Sequence, residues 1–495
     1  MKKYCFFMTN NLYWLRVAKE LYRREIAKPV FWLGDDIHYE EAKKTFKTGV
    51  FKLRDMVHYP FSIKTNHYKS EHNKFFYTSN YFKAKDICIK MMDRLDFYGN
   101  FSRIDREATF HRLVILILTE LSKSKPEALI MSENAHSHPQ YLILEICKFL
   151  NIPIIKFNSW GLISPLMFIQ NVTTGKIIDN NFTVNPELDL LIKKDLNSFI
   201  NITVKRKLND GYISSIIINQ KKNILKRFNF KILLKKIIYD LKNEFFLFRK
   251  NLSSDYYSIN PYKFNFFIRN KILKNKANNL KKMFNRNVEI IKEGKDFVYF
   301  ALHFEPERTT TPDGDFFHDQ FLALVTLRKL IPKNILIYVK EHPSQFILKK
   351  KGTLGRSPLF YDLIKNIEGV KLISLETDSY KLIKESKFVS TITGTVALEA
   401  ALMGNTALIF GDAWFKDCPN IIQWKQNLTY KKIISKKNKG YKDITLYLNN
   451  FIKNSFPGCI NGTTKDYFSD SYNLSFKESE YTNVLNALEN YFLNY

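Results

Sequence analysis

Short apolar runs alternate with segments of helical spacing across residues 291–430, and this alternation limits the possible folds more than any other feature. Each run is short and bounded by turn residues, which indicates a buried strand. Strands are predicted at Phe297–Leu302, Ile335–Val339, Val370–Ser374, Phe388–Ile392 and Thr406–Phe410. Helices are predicted between them at Asp319–Leu330, from a cap at Thr377 or Asp378 to Glu385, and at Thr395–Met403 before Gly404. This pattern predicts a parallel, Rossmann-like lobe.

Residues 1–195 show the same alternation and predict a second lobe of this kind. Strands are expected at Tyr4–Met8, Val30–Leu33, Ala128–Met131 and Ile152–Phe157, with a helix at Pro139–Leu150. The sequence therefore predicts an α/β protein with two Rossmann-like lobes, residues 1–195 and 291–430. A mostly helical segment, 431–495, is predicted to follow them.

The segment between the lobes, residues 196–290, is strongly basic. Residues 201–290 hold 21 Lys and Arg against 5 Asp and Glu. Their net charge of +16 is more than half of the net charge of +29 of the whole chain. Apolar residues recur among the lysines at helical spacing, so we predict amphipathic basic helices. Three interpretations remain open: a helical insert with a solvated face, a contact with an anionic membrane surface, or nucleic-acid binding. No recognisable nucleic-acid module accompanies the charge, so we expect no nucleic-acid partner.

Several classes of protein are disfavoured by what the sequence lacks. The five cysteines are widely spaced without a CxxC pair, which indicates a reducing compartment and neither a zinc site nor a disulfide framework. No signal peptide and no run of 18 apolar residues are evident. P-loop, GxGxxG and GxSxG motifs are absent too. We expect a cytoplasmic protein without a cofactor, able to rest on the inner face of the cytoplasmic membrane.

Polar loops follow three predicted strands of the second lobe, at the edge where parallel sheets bind ligands. The candidate nucleotide- and donor-binding residues in them are Glu305, Arg308, Lys340, His342, Pro343, Thr393, Gly394, Thr395 and Glu399. Each loop also has a purely structural explanation, as a helix cap, a strand-ending turn or a site of surface ion pairs.

The loop at Thr393–Thr395 predicts an anion site, because it joins a strand to the start of a helix. Gly394 lets a ligand approach the backbone closely, and the free N–H groups and threonine hydroxyls would bind a diphosphate or phosphodiester. Glu399, one turn into the helix, would accept hydrogen bonds from ribose hydroxyls.

The other two loops predict groups that complement a sugar nucleotide. His342 would donate to a phosphate, Lys340 would add a positive charge, and Pro343 would fix the turn. Arg308 would clamp a carboxylate or phosphate through two parallel hydrogen bonds. Glu305 or Glu307 would bind sugar hydroxyls.

The first lobe has one such loop, after Ala128–Met131. Glu133 and His136 are the candidate catalytic bases for an acceptor hydroxyl, with His138 as a further candidate. Two histidines and one carboxylate in a loop are too nonspecific to predict a metal site, so none is expected. The acidic pair Asp35 and Asp36, after Val30–Leu33, reads more simply as a turn with a helix cap.

Three sequence stretches together resemble the bacterial capsule polysaccharide biosynthesis family: HFEPERTTTPDGDFFHDQ, YVKEHPSQ and VSTITGTVALEAALMGNTALIFGDAWF. The resemblance covers about residues 290–420, and the best-understood members of the family transfer Kdo from CMP-Kdo. It implies a GT-B-like arrangement, with two lobes facing a cleft and the donor on the second lobe. It places His342 and Pro343 at the nucleotide, and Thr393, Gly394 and Thr395 at its phosphate.

We therefore expect a glycosyltransferase of capsule or other surface polysaccharide synthesis. It would transfer a Kdo-like sugar from a nucleotide donor, expected to be CMP-activated, to a glycan or glycolipid. Neither lobe has a DxD pair suited to a metal-dependent donor site, so helix dipoles and basic residues would stabilise the leaving phosphate. Two alternatives remain open: a sugar-nucleotide 2-epimerase of the same architecture, and a non-enzymatic, membrane-docked assembly or export factor.

Overall fold

The computed structural model describes residues 1–7, 13–47, 49–58, 73–96, 101–159, 166–178, 266–458 and 475–494, with a few single positions between them. Most of the predicted basic segment, 196–290, lies outside the described residues. Its final part is described and forms a long helix from residue 266.

The N-terminal lobe is built from alternating strands and helices. Its strands are β1 (Lys2–Phe7), β2 (Ala27–Gly34), β3 (Val50–Lys52), β4 (Ala128–Met131), β5 (Ile154–Ser159), β6 (Leu166–Asn171) and β7 (Ile177–Ile178). Its helices are α1 (Tyr13–Arg23), α2 (Tyr39–Phe46), α3 (Leu53–His58), α4 (Asn73–Phe76), α5 (Ser79–Leu95), α6 (Arg103–Ser124) and α7 (His138–Phe149).

The N-terminal sheet has the strand order β3-β2-β1-β4-β5-β6. The first five strands are parallel, with Phe7 level with Leu33 of β2 and Met131 of β4. Strand β6 runs antiparallel to β5. The strand order reverses between β1 and β4, which is where doubly wound sheets bind ligands.

The C-terminal lobe starts with α8 (Phe266–Asn287) and continues with the predicted alternation. Its strands are β8 (Phe297–Ala301), β9 (Leu336–Lys340), β10 (Val370–Ile373), β11 (Val389–Thr391), β12 (Ala407–Ile409) and β13 (Ile421–Gln423). Its helices are α9 (Gln320–Leu330), α10 (Ser344–Ile347), α11 (Lys349–Gly355), α12 (Pro358–Lys365), α13 (Ser379–Glu385), α14 (Val396–Leu402), α15 (Tyr430–Ile434) and α16 (Tyr441–Lys453). A 3₁₀ turn at Asp315–His318 precedes α9.

All strands of the C-terminal sheet are parallel, in the order β10-β9-β8-β11-β12-β13. This is the strand order of a Rossmann fold, with its reversal between β8 and β11. The prediction of two Rossmann-like lobes in a GT-B-like arrangement is therefore confirmed. The antiparallel strand β6 was not predicted.

Local signals in the sequence explain where the C-terminal helices begin and end. Asp319 caps α9 through the N–H of Phe321, and Asp378 caps α13 through the N–H of Tyr380. Gly404 has a φ of 78° just after α14, a conformation that costs glycine little.

A shared hydrophobic core joins the two lobes. Leu166 and Phe168 of β6 belong to the same buried cluster as the residues beneath α14 and α16. The ring of Phe168 meets Phe451 of α16 edge to face, with centroids 4.7 Å apart. Strand β6 therefore packs its apolar face against the C-terminal lobe.

The end of the described chain returns to the N-terminal lobe. The short strand β14 (Phe456–Pro457) pairs with β6, and α17 (Ser475–Asn494) packs on α1. Leu485, Leu488 and Phe492 of α17 enter the core beneath β1. The segment predicted as mostly helical thus also extends the N-terminal sheet.

Cys5, Cys88, Cys147 and Cys418 are free and buried, while Cys459 lies outside the described residues. Within the described ranges, no helix is long and apolar enough to span a membrane.

Candidate functional site

The predicted site residues lie at the carboxyl edges of both sheets. In the C-terminal lobe they occupy the loops after β8, β9 and β11, and in the N-terminal lobe the loop after β4. The loops of the two lobes meet: Asn134 donates to the Asp313 carboxylate over 3.0 Å. Each lobe therefore presents polar residues at the reversal point of its strand order, and the two points face each other.

A buried histidine, His303, holds the loops after β8 and β11 together. Its Nε2 accepts a hydrogen bond from the N–H of Thr393 over 3.1 Å, so the neutral ring carries its proton on Nδ1. Burial lowers the pKa of His303 to about 3, and the nearby charges of His342 and Arg356 lower it as smaller contributions. His303 is therefore neutral and acts as a structural acceptor.

The turn at Thr393–Thr395 is shaped by this histidine. A Cβ on Gly394 would lie 2.9 Å from Thr391 Oγ1 and 3.4 Å from His303 Nε2, so a larger residue would have to displace the Thr391 side chain. The Thr393 hydroxyl, expected at an anion, donates instead to the Thr309 carbonyl over 2.6 Å. Within the described part of the chain, the N–H groups of Gly394 and Thr395 donate to no protein acceptor, and Thr395 is exposed. Those two N–H groups are the ones available to an anion.

The second histidine of this lobe, His342, has the opposite proton arrangement. The N–H of Ser344 donates to His342 Nδ1 over 3.2 Å, so the neutral ring carries its proton on Nε2. The residue is exposed, and Pro343 begins the turn into α10. His342 thus presents its Nε2–H as an exposed hydrogen-bond donor, and its contact with a phosphate stays a prediction.

A buried ion pair fixes both histidine loops. The Arg356 Nε donates to the Glu341 carboxylate over 2.9 Å, and both side chains are almost fully buried. Glu341 also accepts from the His342 N–H, and Arg356 also donates to the His303 carbonyl over 2.8 Å. The pair therefore sets the distance between the loops after β8 and β9.

Two of the predicted donor-binding residues are occupied within the protein. Lys340 Nζ donates to the Thr377 carbonyl and to Ser379 Oγ, and burial lowers its pKa to about 8. Glu305 is 2% exposed, and its Oε1 accepts from Gln320 Nε2 over 2.9 Å. Both side chains hold neighbouring loops in place.

The remaining two predicted residues are more accessible. Arg308 lies at the lobe junction with its side chain 31% exposed, and its guanidinium is 3.9 Å from the Asp313 carboxylate. Glu399 is half-buried in the first turn of α14. Of these two, Arg308 is the one next to the opposite lobe.

In the N-terminal lobe, Glu133 and His136 lie side by side. Glu133 Oε2 is 3.3 Å from His136 Nδ1, and Nδ1 donates to the Asn134 carbonyl over 2.9 Å. This leaves Nε2 as the unprotonated nitrogen of the neutral ring. The side chain of His136 is 41% exposed and that of Glu133 only 4%. Burial, then the charge of Arg308, lowers the pKa of His136 to about 4, so the imidazole is neutral at pH 7.

The third candidate, His138, is 1% exposed at the start of α7. Burial lowers its pKa to about 3. It packs inside the N-terminal lobe, where an acceptor hydroxyl has no access.

Sequence reasoning missed several charged residues at the junction. Lys156 interrupts the apolar strand β5 and is buried near Asp412 and Asp313, where burial lowers its pKa. A lysine inside an apolar run was a usable signal. Arg94 of α5, which bonds to both lobes, looks in the sequence like any solvated helix residue.

A family model describes about half of this chain. Residues 213–446 match the model of the capsule polysaccharide biosynthesis protein. The match is longer than the stretch of resemblance read from the sequence, and it includes much of the basic segment.

Comparison with solved structures gives distant similarities only. A β-Kdo 2,4-transferase, KpsC from Thermosulfurimonas dismutans, is 17% identical over 36% of this chain and 63% of its own, with a TM-score of 0.22. The β-Kdo 2,7-transferase of the same protein is 9% identical over 68% and 89%, with a TM-score of 0.25. A UDP-GlcNAc 2-epimerase from Neisseria meningitidis is 10% identical over the full length of both chains, with a TM-score of 0.23. No curated protein matches the sequence.

We expect the free energy of unfolding to fall as the pH drops from about 6.5 toward 5, because His138 and His303 stay neutral in the folded protein. Their folded pKa values of about 3 lie below the value of about 6.5 in an unfolded chain. In this window the unfolded chain binds protons that the folded chain does not, so stability rises with pH. The slope approaches about 1.4 kcal/mol per pH unit for each histidine.

Urea unfolding at pH 7, 6 and 5 measures this slope. His138→Leu should reduce the slope by the equivalent of about one proton. Ile143→Val, in the same helix, should lower the free energy of unfolding without changing the slope. An unchanged slope in His138→Leu would show that His138 titrates normally.

Proposed function

We propose that this chain is a glycosyltransferase of surface polysaccharide synthesis. It would transfer a sugar from a nucleotide donor on the C-terminal lobe to a hydroxyl of a glycan or glycolipid on the N-terminal lobe. The observation that carries the proposal is the meeting of the two polar loop clusters at the reversal points of both sheets, joined through Asn134 and Asp313. The family match supports the role in polysaccharide synthesis.

On the donor side, the available groups suit a phosphate-linked leaving group. The N–H groups of Gly394 and Thr395, the Nε2–H of His342 and the guanidinium of Arg308 are all donors that a phosphate could accept from. Donors fixed in advance stabilise negative charge that develops as the sugar leaves. We propose that these groups, without a divalent ion, hold the phosphate. The choice of a CMP-activated, Kdo-like donor follows from the resemblance of the motifs.

On the acceptor side, His136 is the better placed base of the two candidates. Its Nε2 is unprotonated, its side chain is partly exposed, and its lowered pKa keeps it neutral. Glu133 is buried against Nδ1 and would stabilise the imidazolium that forms when His136 takes the acceptor proton. We propose His136 as the general base and Glu133 as the residue that orients it.

A nucleotide that binds the C-terminal lobe should raise the melting temperature of the protein by mass action. We expect CMP to do so, and to do so equally with EDTA present. His342→Ala should weaken this binding about tenfold, because it removes a hydrogen bond to a charged phosphate. Thermal-shift titrations with CMP, CDP, UDP and GDP make the measurement.

His38→Ala, in the other lobe, is the matched control and should bind CMP as the wild type does. Stabilisation by UDP or GDP alone would keep the transferase and discard the CMP donor. Strict dependence on Mg²⁺ would contradict the metal-free site, and turnover of the donor without an acceptor would favour the 2-epimerase alternative.

His136→Gln should lower the rate of sugar transfer about 10² to 10⁴-fold, the usual contribution of a general base. Donor affinity should stay within about twofold, because His136 lies on the acceptor side. Transfer is measured by release of the free nucleotide in the presence of an acceptor glycan. A full rate in His136→Gln together with a loss in Glu133→Gln would assign the base to Glu133.

We further propose that helix α8 contacts an anionic membrane surface. Its buried face, with Leu273, Leu280 and Phe284, packs on the C-terminal lobe. Its exposed face carries Lys271, Lys274, Lys276, Lys281, Lys282 and Arg286, and the helix contains no Asp or Glu. A lipid-linked acceptor would be reached at such a surface.

Replacing Lys281, Lys282 and Arg286 with Gln should weaken binding to phosphatidylserine-containing vesicles by about two orders of magnitude. Each basic residue near an anionic surface contributes about 1 kcal/mol. Vesicle flotation at low salt measures the binding. The triple change of Lys431, Lys432 and Lys437, also exposed, is the control for charge alone. Equal losses in both triples would remove the special role of α8.

A further inference from the structure

One face of helix α5 is made of charged residues that all reach the opposite lobe. Lys83, Asp86, Lys90 and Arg94 follow one another at intervals of three or four residues, which places them in one row along the helix. Lys83 pairs with Asp315 at 3.2 Å, Asp86 with His318 Nε2 at 2.9 Å, and Lys90 donates to the His318 carbonyl. This row therefore docks α5 on residues 311–318 of the C-terminal lobe.

Arg94 differs from the other three because it also contacts the loop after β4 of its own lobe, which carries the proposed base His136 and is called the base loop below. Its Nη1 donates to the Thr311 carbonyl over 3.2 Å, and its Nη2 donates to the His136 carbonyl. Two donors of one rigid planar guanidinium thus bind one loop from each lobe. A lysine at this position would have a single nitrogen and could not reproduce both bonds in the same geometry.

The contact of Arg94 with the C-terminal lobe leads to the turn at Thr393–Thr395, the proposed anion site. Thr311 lies two residues after Thr309, whose carbonyl accepts from the Thr393 hydroxyl over 2.6 Å. The N–H of Thr393 is in turn held by His303. A continuous series of hydrogen bonds and short loop segments therefore runs from the turn at Gly394, through Thr309–Thr311 and Arg94, to the backbone of His136.

We propose that Arg94 is a positioning residue that fixes His136 relative to the donor-binding turn. The inference rests on the proposed function, because it assigns the purpose of the contact to catalysis. Arg94 touches neither reacting group. It sets where the imidazole lies when a nucleotide occupies the turn, so that the two halves of the site come into register.

The test follows the His136 imidazole directly. In protein with ¹³C-labelled histidines, CMP should shift the His136 resonance, which is assigned by its loss in His136→Gln. In Arg94→Gln, CMP should still bind within about threefold of the wild-type affinity, but the His136 resonance should no longer respond. The rate of transfer should fall at least tenfold with little change in the KM for the donor.

Lys90→Gln removes a contact from the same row without touching the base loop, and should keep both the response and the rate.

Arg94→Lys keeps the charge and serves where Arg94→Gln does not fold; it should also lose the response. A wild-type response to CMP in either Arg94 variant overturns the inference.

If CMP, UDP and GDP all fail to stabilise the wild type, the proposed function fails, and hydrogen exchange without nucleotide decides the positioning role. Residues 132–137 and 308–313 should then both lose protection in Arg94→Gln, and neither loop should lose protection in Lys90→Gln. Unchanged protection of these loops in Arg94→Gln overturns the positioning role of Arg94.

Discussion

The buried ion pair between Arg356 and Glu341 is the interaction on which the geometry of the candidate site depends. Both charges are out of water, so neither can lose its partner without leaving an uncompensated charge, at a cost of about 3–5 kcal/mol. The pair also uses its remaining hydrogen-bonding capacity on the backbone of His303 and His342 and on the hydroxyl of Tyr361. Two loops from neighbouring strands are thereby tied to one rigid centre. A looser centre would let the two histidines move independently.

The two lobes are joined by two different kinds of contact. On the side of β6, Phe168 packs on Phe451 inside a shared apolar core, which makes that contact difficult to open. On the side of α5, the contact consists of charged groups on backbone carbonyls and on partly exposed partners such as Asp315. Polar contacts of this kind exchange readily with water and resemble those between mobile domains. The candidate site lies at the polar side of this junction.

Much of the fold was predictable because its signals are local. The strands at Ala128–Met131 and Phe297–Ala301, the cap at Asp378 and the stop at Gly404 all follow from neighbouring residues. The return of α17 to the N-terminal lobe was not predictable, because a helix pattern does not show which apolar surface it covers. The same limit applies to the site. The loops that carry Gly394 and His136 follow strands and could be found, whereas Arg94 contributes through contacts with residues distant in sequence.

The two histidines after β8 and β9 show most clearly why sequence position alone does not assign a role. Both follow parallel strands at the ligand-binding edge, and both belong to polar motifs. His303 Nε2 accepts from the Thr393 N–H, so this histidine cannot donate to an anion through that nitrogen. His342 Nδ1 accepts from the Ser344 N–H, which leaves Nε2–H as an exposed donor. The proton position is set by which backbone N–H group lies against which ring nitrogen, and that depends on the tertiary packing of the loops. One histidine therefore builds the turn, and the other is available to the phosphate that the turn would hold.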